Sequence, residues 1–249
     1  MYNRLINGNC FEELRRIPDK SIDMILTDPP YSLTNLPWDK EIDLDLMWKE
    51  FNRIIKDHGA ILVFGKQPFT TKLIYKNIKY FKQMLIWKKQ NIDNPTQAKK
   101  RFCNITEDIV VFYKKPPEFH PQGIIKIDKP VKQGRGKSLA QVQDRPENVI
   151  QQYTNYPRNI LEFNFDFPRI HPTQKPVDLL KYLIKSYSNK GEVILDPFMG
   201  SGSTGIAANS LGRSFIGIEL DKETYELAIE RIGETKIEVD RSKDEEDNS

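Results

Sequence analysis

VILDPFMGSGSTG, residues 193–205, decides how this chain folds. Val193 to Leu195 reads as a short buried strand closed by Asp196. Gly200, Gly202 and Gly205 then make a G-x-G-x-x-G pattern that opens a helix to Leu211. Glycines at such a turn let the backbone bend tightly and approach a ligand closely. A second strand, Ser214 to Ile218, delivers Glu219 about twenty residues further on, where an acid accepts hydrogen bonds from both hydroxyls of a ribose. The unit therefore binds a nucleoside-like cofactor. A dinucleotide competes for this reading, but Asp196-Pro197-Phe198 stands between the strand and the first glycine. A carboxylate there repels a pyrophosphate and suits a cationic ligand, such as the amino group or sulfonium of S-adenosylmethionine.

Working outward, apolar strands alternate with amphipathic helices. Arg4–Ile6, Ile22–Thr27, Ala60–Phe64, Gln83–Trp87 and Glu107–Tyr113 read as strands; Cys10–Ile17, Leu44–Ile55, Phe69–Asn77, Asp178–Tyr187 and Tyr225–Ile232 read as helices. This alternation predicts an α/β fold, a parallel sheet with helices on both faces. Ligands of such sheets sit outside the carboxyl ends of the strands, which brings Asp28, Asp196 and Glu219 together. From Lys114 to about Phe167 the periodicity lapses and Pro, Gly and Gln recur, as expected of an insertion. The tail after Gly233 lacks apolar content and reads as disordered.

Composition narrows the class. Of 249 residues 38% are hydrophobic, mean hydropathy is −0.59 and net charge is +3. The apolar runs are too short to cross a bilayer, and no N-terminal signal pattern is present. Cys10 and Cys103 lie far apart, so a reducing cytoplasm is the expected compartment. His58, His120 and His171 show no metal-ligand spacing, and no metal is expected. Lys76 to Lys137 holds fifteen Lys or Arg against five Asp or Glu, interleaved with Tyr80, Phe81, Trp87 and Phe102. Such a stretch is either a solvated lysine-rich surface or one that follows a phosphate backbone.

TDPPY (27–31), HPTQKP (171–176) and DPFMGSGST (196–204), in that order, resemble the β-class DNA amino-methyltransferases. The resemblance covers most of 1–113 and 165–235. It implies a Rossmann-like class I S-adenosylmethionine-dependent sheet in circularly permuted order. Residues 1–113 would be the catalytic half, 114–164 a target-recognition insertion, 165–235 the cofactor-binding half and 236–249 an acidic disordered tail. The implied reaction transfers methyl from S-adenosylmethionine to adenine N6 in duplex DNA, by base flipping and direct in-line attack. Cytosine N4 is the alternative, since the family associates Asp at the first motif position mostly with adenine. RNA or protein-amide methylation is a more distant one. Methylation at cytosine C5 needs a cysteine nucleophile, and neither cysteine lies in a Pro-Cys context at a strand end.

An exocyclic amino nitrogen is a poor nucleophile because its lone pair is delocalised into the ring. Two acceptors aimed at its hydrogens free that lone pair: the Asp28 side chain and a backbone carbonyl, that of Pro29. Pro29 and Pro30 fix φ and fix both oxygens with it. Tyr31 offers its ring as a platform for an extruded base. Cofactor contacts are expected from Asn9, Asp28, His171, Thr173, Gln174, Lys175, Asp196, Pro197, Phe198, Gly200, Ser201, Gly202, Ser203, Thr204, Glu219 and Leu220. Asn9 stands where relatives often carry an acid. Within 114–164, Arg135, Lys137, Gln141, Gln143, Arg145, Asn148, Gln151, Gln152 and Asn155 could meet base edges or phosphates. The class also implies double-stranded DNA as partner, a homodimer, a cognate restriction endonuclease, and a prokaryotic or phage-encoded origin.

Overall fold

The computed structural model describes residues 2–33, 39, 41–93, 95–133, 149–167 and 174–233. His171 and Thr173, the polar residues between Arg135 and Asn148, and the acidic tail lie outside the described residues.

Ten strands and six α-helices are described. The strands are β1 (Asn3–Asn7), β2 (Ile22–Thr27), β3 (Ile55–Gly65), β4 (Phe81–Lys88), β5 (Thr106–Phe112), β6 (Ile125–Gln133), β7 (Val149–Thr154), β8 (Ile160–Glu162), β9 (Val193–Asp196) and β10 (Ser214–Glu219). The helices are α1 (Cys10–Leu14), α2 (Leu44–Ile54), α3 (Phe69–Lys76), α4 (Val177–Tyr187), α5 (Ser203–Ser210) and α6 (Lys222–Gly233).

The main sheet has eight strands in the order β1-β10-β9-β2-β3-β5-β4-β8. β1, β10, β9, β2 and β3 run parallel. β5 runs antiparallel to both β3 and β4, which corrects the expectation of a parallel sheet. The reason is local: among the described residues the 89–105 connection holds no α-helix to serve as a crossover over the sheet, only a short 3₁₀ turn, Pro95–Gln97, and the chain returns alongside β4 as an antiparallel pair. β8 joins the edge beside β4 with a three-residue register from Ile86↔Ile160. Its few residues, flanked by Pro and Asn, gave no periodic signal.

Chain order doubles back between β9 and β2, which are adjacent in the sheet although about 170 residues apart in sequence. That is the topological switch point where open α/β sheets bind ligands. Two apolar cores flank the sheet. One gathers α4, α5 and α6 against Met24, Leu26, Leu62, Phe64 and Trp87. The other gathers α1, α2 and α3 against Ile25, Ile61, Val63 and Phe112. In α2 the apolar positions Met47, Trp48, Phe51 and Ile54 fall on one stripe and are buried. Asp43 caps the helix by accepting from the Leu46 N–H at 3.0 Å.

Pro121–Arg158 forms a separate compact unit. Within it β6 and β7 pair antiparallel, and Asn155, at φ 56°, donates to the Gly123 carbonyl at 2.6 Å. It begins and ends a few residues inside the 114–164 span expected from sequence. No helix of the described residues is long and apolar enough to cross a membrane.

Phe51 is fully buried between α2 and the sheet, touching Trp48 edge-on. Replacing it with Ala is expected to lower the unfolding free energy by about 3–5 kcal/mol, read from urea denaturation.

Candidate functional site

The carboxyl ends of β2, β9 and β10 open into a cleft of about 1690 Å³ lined by Asp28 to Tyr31, Asn9, Gln174, Lys175, Pro197, Phe198, Gly200 and Glu219. Leu220 stands on its rim with an exposed side chain. Most of the sequence-predicted residues thus share one cavity, but several of their side chains do something other than face a ligand.

The glycine turn divides its labour. Gly200 adopts φ 51°, and an added Cβ would meet nothing within 4 Å, so its backbone borders open space. At Gly205 a Cβ would lie 2.6 Å from Ile232 and 2.7 Å from Phe215. Gly205 is therefore glycine so that α5 can pack on β10 and α6. Ser201 is buried, its hydroxyl accepting from Arg231 Nη1 at 2.8 Å. Gly202 caps α5 in the left-handed region. The Ser203 hydroxyl is buried and without a hydrogen-bond partner in the structure; it lines a smaller chamber of about 60 Å³ beside the cleft, with Asp28, Lys175, Asp196 and Thr204.

Asp196 departs from its expected part. Its Oδ1 accepts from the Thr27 hydroxyl at 2.7 Å and the Phe198 N–H at 3.2 Å, and its Oδ2 from the Thr204 hydroxyl at 2.7 Å. It lies outside the main cleft lining and fastens β9 to β2 and α5. Burial pushes its carboxyl up to about 6, against those three hydrogen bonds, which favour the ionised form.

Glu219 reaches the cleft edge with both oxygens engaged by backbone: Oε2 accepts from Gly200 N–H at 3.0 Å and Oε1 from Asp221 N–H at 2.9 Å. Those bonds fix its position, and each oxygen keeps a further lone pair. Burial raises its pKa against these donors. Asn9 caps α1, its Oδ1 accepting from Phe11 N–H at 2.9 Å. Gln174 donates to Asp166 Oδ2 at 3.0 Å.

Around Asp28 the structure adds groups the sequence did not suggest. Asp28 Oδ1 accepts from the Tyr31 hydroxyl, and Oδ2 from the Lys175 ammonium. The Tyr31 ring packs on Phe69, centroids 5.1 Å apart. Burial, then the charges of Asp28 and Glu107, hold its phenol well above the usual range, so it stays protonated and donates. Lys175 also reaches Glu107 Oε1 at 2.9 Å. Glu107 meets Lys89 at 3.7 Å, Lys89 pairs with Asp93 at 2.8 Å, and Asp93 with Lys66 at 2.8 Å. Burial raises the Asp28 carboxyl and Lys175 partly offsets it; for Glu107 burial is again the largest single effect, but Lys175, Lys66 and Lys89 together outweigh it and hold the carboxyl below its usual range. Asp39 shapes the turn after the prolines. It takes the N–H groups of Tyr31, Ser32 and Leu33 at 2.8, 2.6 and 2.8 Å, with Ser32 at φ 56°. Glu107 is the second residue of the strand TEDIVVF, between Thr106 and Asp108, and those polar neighbours give no local sign of its burial.

A sheet with this strand order, a glycine turn at the end of one central strand and Asp-Pro-Pro-Tyr at the end of its neighbour defines a Rossmann-like class I methyltransferase. A family model described as DNA methylase matches residues 22–230. The chain belongs to that DNA methylase family, and DNA is its substrate. It is 30% identical to the DNA adenine methyltransferase YhdJ of Escherichia coli (strain K12), over 92% of this chain and 82% of the relative. It is 33% identical to the type II methyltransferase M.HpaI of Haemophilus parainfluenzae, over 93% and 74%. In fold it is similar to the crystal structure of the M1.HpyAVI–SAM complex, TM-score 0.63 and 24% identity, covering 92% of this chain and 99% of that one.

Asp196 makes the site's fastening pH-sensitive. A buried carboxyl whose folded pKa lies above its unfolded one binds its proton more tightly when folded. Its contribution to stability is therefore greatest at low pH and is lost as pH rises through about 6. Relative to Asp196→Asn, the wild-type unfolding free energy is expected to fall by about 1–3 kcal/mol between about pH 4 and about pH 7. Parallel urea titrations of both proteins measure it, and a pH-independent difference counts against it.

Proposed function

We propose that this chain methylates the N6 amino group of adenine at a specific duplex sequence, with S-adenosylmethionine as methyl donor. The observation that carries the reading is the meeting of Asp28 and the Gly200 turn in one cleft, at the ends of adjacent strands. Adenine rather than cytosine is supported by Asp at position 28 and by the name of the YhdJ relative.

The residues fit such a cofactor. Gly200 offers backbone beside open space, Glu219 carries lone pairs for ribose hydroxyls, Phe198 supplies an apolar wall, and Ser203 holds an orphaned hydroxyl near Asp28. S-adenosylmethionine supplies an electrophilic methyl on a sulfonium. Asp28 accepts one amino hydrogen of the target and the Pro29 carbonyl the other, positioning the nitrogen lone pair. Burial makes the Asp28 carboxylate a stronger proton acceptor than an exposed one, suited to the proton that the amino nitrogen sheds on methylation.

The DNA face of the cleft is supported by residues 89–105. The Lys89 N–H donates to Ile105 O and the Asp93 N–H to Asn104 O, each at 2.7 Å, so the excursion has a fixed base. Its tip carries Lys99, Lys100 and Arg101 and a fully exposed Phe102. Basic groups here follow phosphates and the ring stacks on bases. The hairpin unit at 121–158 we read as part of the target-recognition region. M.HpaI is named a type II methyltransferase, which supports a modification role beside a cognate endonuclease. The homodimer and the cytoplasmic setting expected from sequence belong to the same reading, and sedimentation of the purified protein measures the first.

Incubation with duplex DNA and methyl-labelled cofactor, followed by digestion to nucleosides, is expected to yield labelled N6-methyladenine. Label in N4-methylcytosine, or none, overturns the reading. Asp28→Ala is expected to lower transfer at least about 100-fold, with cofactor affinity by calorimetry retained. Phe102→Ala, at an exposed position, is expected to leave the melting temperature unchanged and to weaken DNA binding about 10-fold, read by fluorescence anisotropy.

A further inference from the structure

Both oxygens of the Asp28 carboxylate are engaged, yet the reaction proposed above needs one of them for the target. Tyr31 cannot easily leave Oδ1. Its ring is packed on Phe69, and its neutral hydroxyl, though 3.2 Å from Glu107 Oε1, is not pulled by charge from one acid to the other. Lys175 on Oδ2 is placed differently, since the same ammonium already touches Glu107 at 2.9 Å. Taking an ammonium off a buried carboxylate is costly when its charge is left unpaired. Moving it between two carboxylates it already bridges costs far less.

Glu107 is built to receive it. Its side chain is 6% exposed and lies on β5, so its backbone is held in the sheet. Its other oxygen faces Lys89, which Asp93 holds, and Lys66 holds Asp93 in turn. Asp28, Glu107 and Asp93 carry three negative charges; Lys175, Lys89 and Lys66 carry three positive ones. This row of six ions is neutral with Lys175 seated on either acid.

We propose that Glu107 is a positioning residue: it draws the Lys175 ammonium away from Asp28 Oδ2 when the target amino group docks, freeing that oxygen to accept the amino hydrogen. This rests on the adenine-methylation reading and adds a group that nothing in the three sequence motifs contains. Without the Glu107 charge, Lys175 stays locked on Asp28 and competes with the target.

The test is a double-mutant cycle of wild type, Glu107→Gln, Lys175→Met and the double variant, with kcat, KM for DNA, cofactor affinity and thermal melting measured for each. Glu107→Gln is expected to lower kcat about 10-fold or more while KM and cofactor affinity move less than about 3-fold. In the Lys175→Met background the same change is expected to cost less than about 3-fold, because the ammonium it controls is gone and the double variant restores charge balance. Losses that multiply across the cycle, or a Glu107→Gln enzyme with wild-type kcat, overturn the proposal. Should Glu107→Gln fail to fold, Glu107→Asp replaces it in the cycle: its carboxylate falls short of the Lys175 ammonium, so kcat is expected to drop in the wild-type background and to change less than about 3-fold in the Lys175→Met background, where there is no ammonium to draw; losses that multiply overturn the proposal here too. Wild-type protein that methylates no DNA sinks the reading of the reaction itself. An active wild type with multiplying losses sinks only the role of Glu107.

Discussion

The site depends on one buried carboxylate that touches no open cavity wall in the main cleft. Asp196 accepts from Thr27 on β2, from Thr204 on α5 and from the backbone of its own turn. These strands come from opposite ends of the chain, and the sheet pairs them through only two residue pairs, Met24↔Ile194 and Ile25↔Leu195. The pairing ends there, at the end of the strands where the cleft opens. The carboxylate ties Thr27, the residue before Asp28, to the strand that leads into the glycine turn, and so fixes the two ends against each other. Hydrogen bonds to a charged acceptor are stronger than neutral ones and directional, so a single group can hold this geometry.

From that fixed distance the rest follows in layers. The prolines set the backbone after Asp28, and Asp39 gathers the three N–H groups that the turn leaves unpaired. Each of these three donors thus meets an acceptor within the protein. Tyr31, held by this turn and by Phe69, delivers its hydroxyl to Asp28. The glycine-turn side of the cleft is equally preset, since Glu219 is tied to the Gly200 and Asp221 backbones. Both halves of the site are therefore organised by the protein alone.

Much of this could be read from the chain, for identifiable reasons. The strands at 22–27 and 193–196 are apolar runs, interrupted before their ends only by Asp23, and both lead into Asp-Pro; strands buried on both faces write themselves that way. The Gly-rich turn is equally explicit. What escaped reading was whatever depends on partners distant in sequence. Asp196 looked like a ligand-facing acid because nothing local reveals that Thr27, 169 residues away, would claim it. Tyr31 was read for its ring and not its hydroxyl. Glu107 lies at the start of one strand and Lys89 just past the end of another, where an acid or base reads as a surface residue, and both are buried in pairs. β8 and the β6–β7 hairpin were missed because edge and paired strands in polar, Pro-rich chain lack the alternation that marks a half-buried strand.

The balanced row of three acids and three lysines has an electrical consequence. A set of ions that sums to zero has no monopole, so its field dies away within a short distance of the cluster. A polyanion arriving at the cleft mouth is then neither repelled by the Asp28 carboxylate nor drawn in by the lysines beside it. Long-range attraction falls to the surface bases alone, and added salt can weaken the approach of the strand while leaving the buried chemistry untouched.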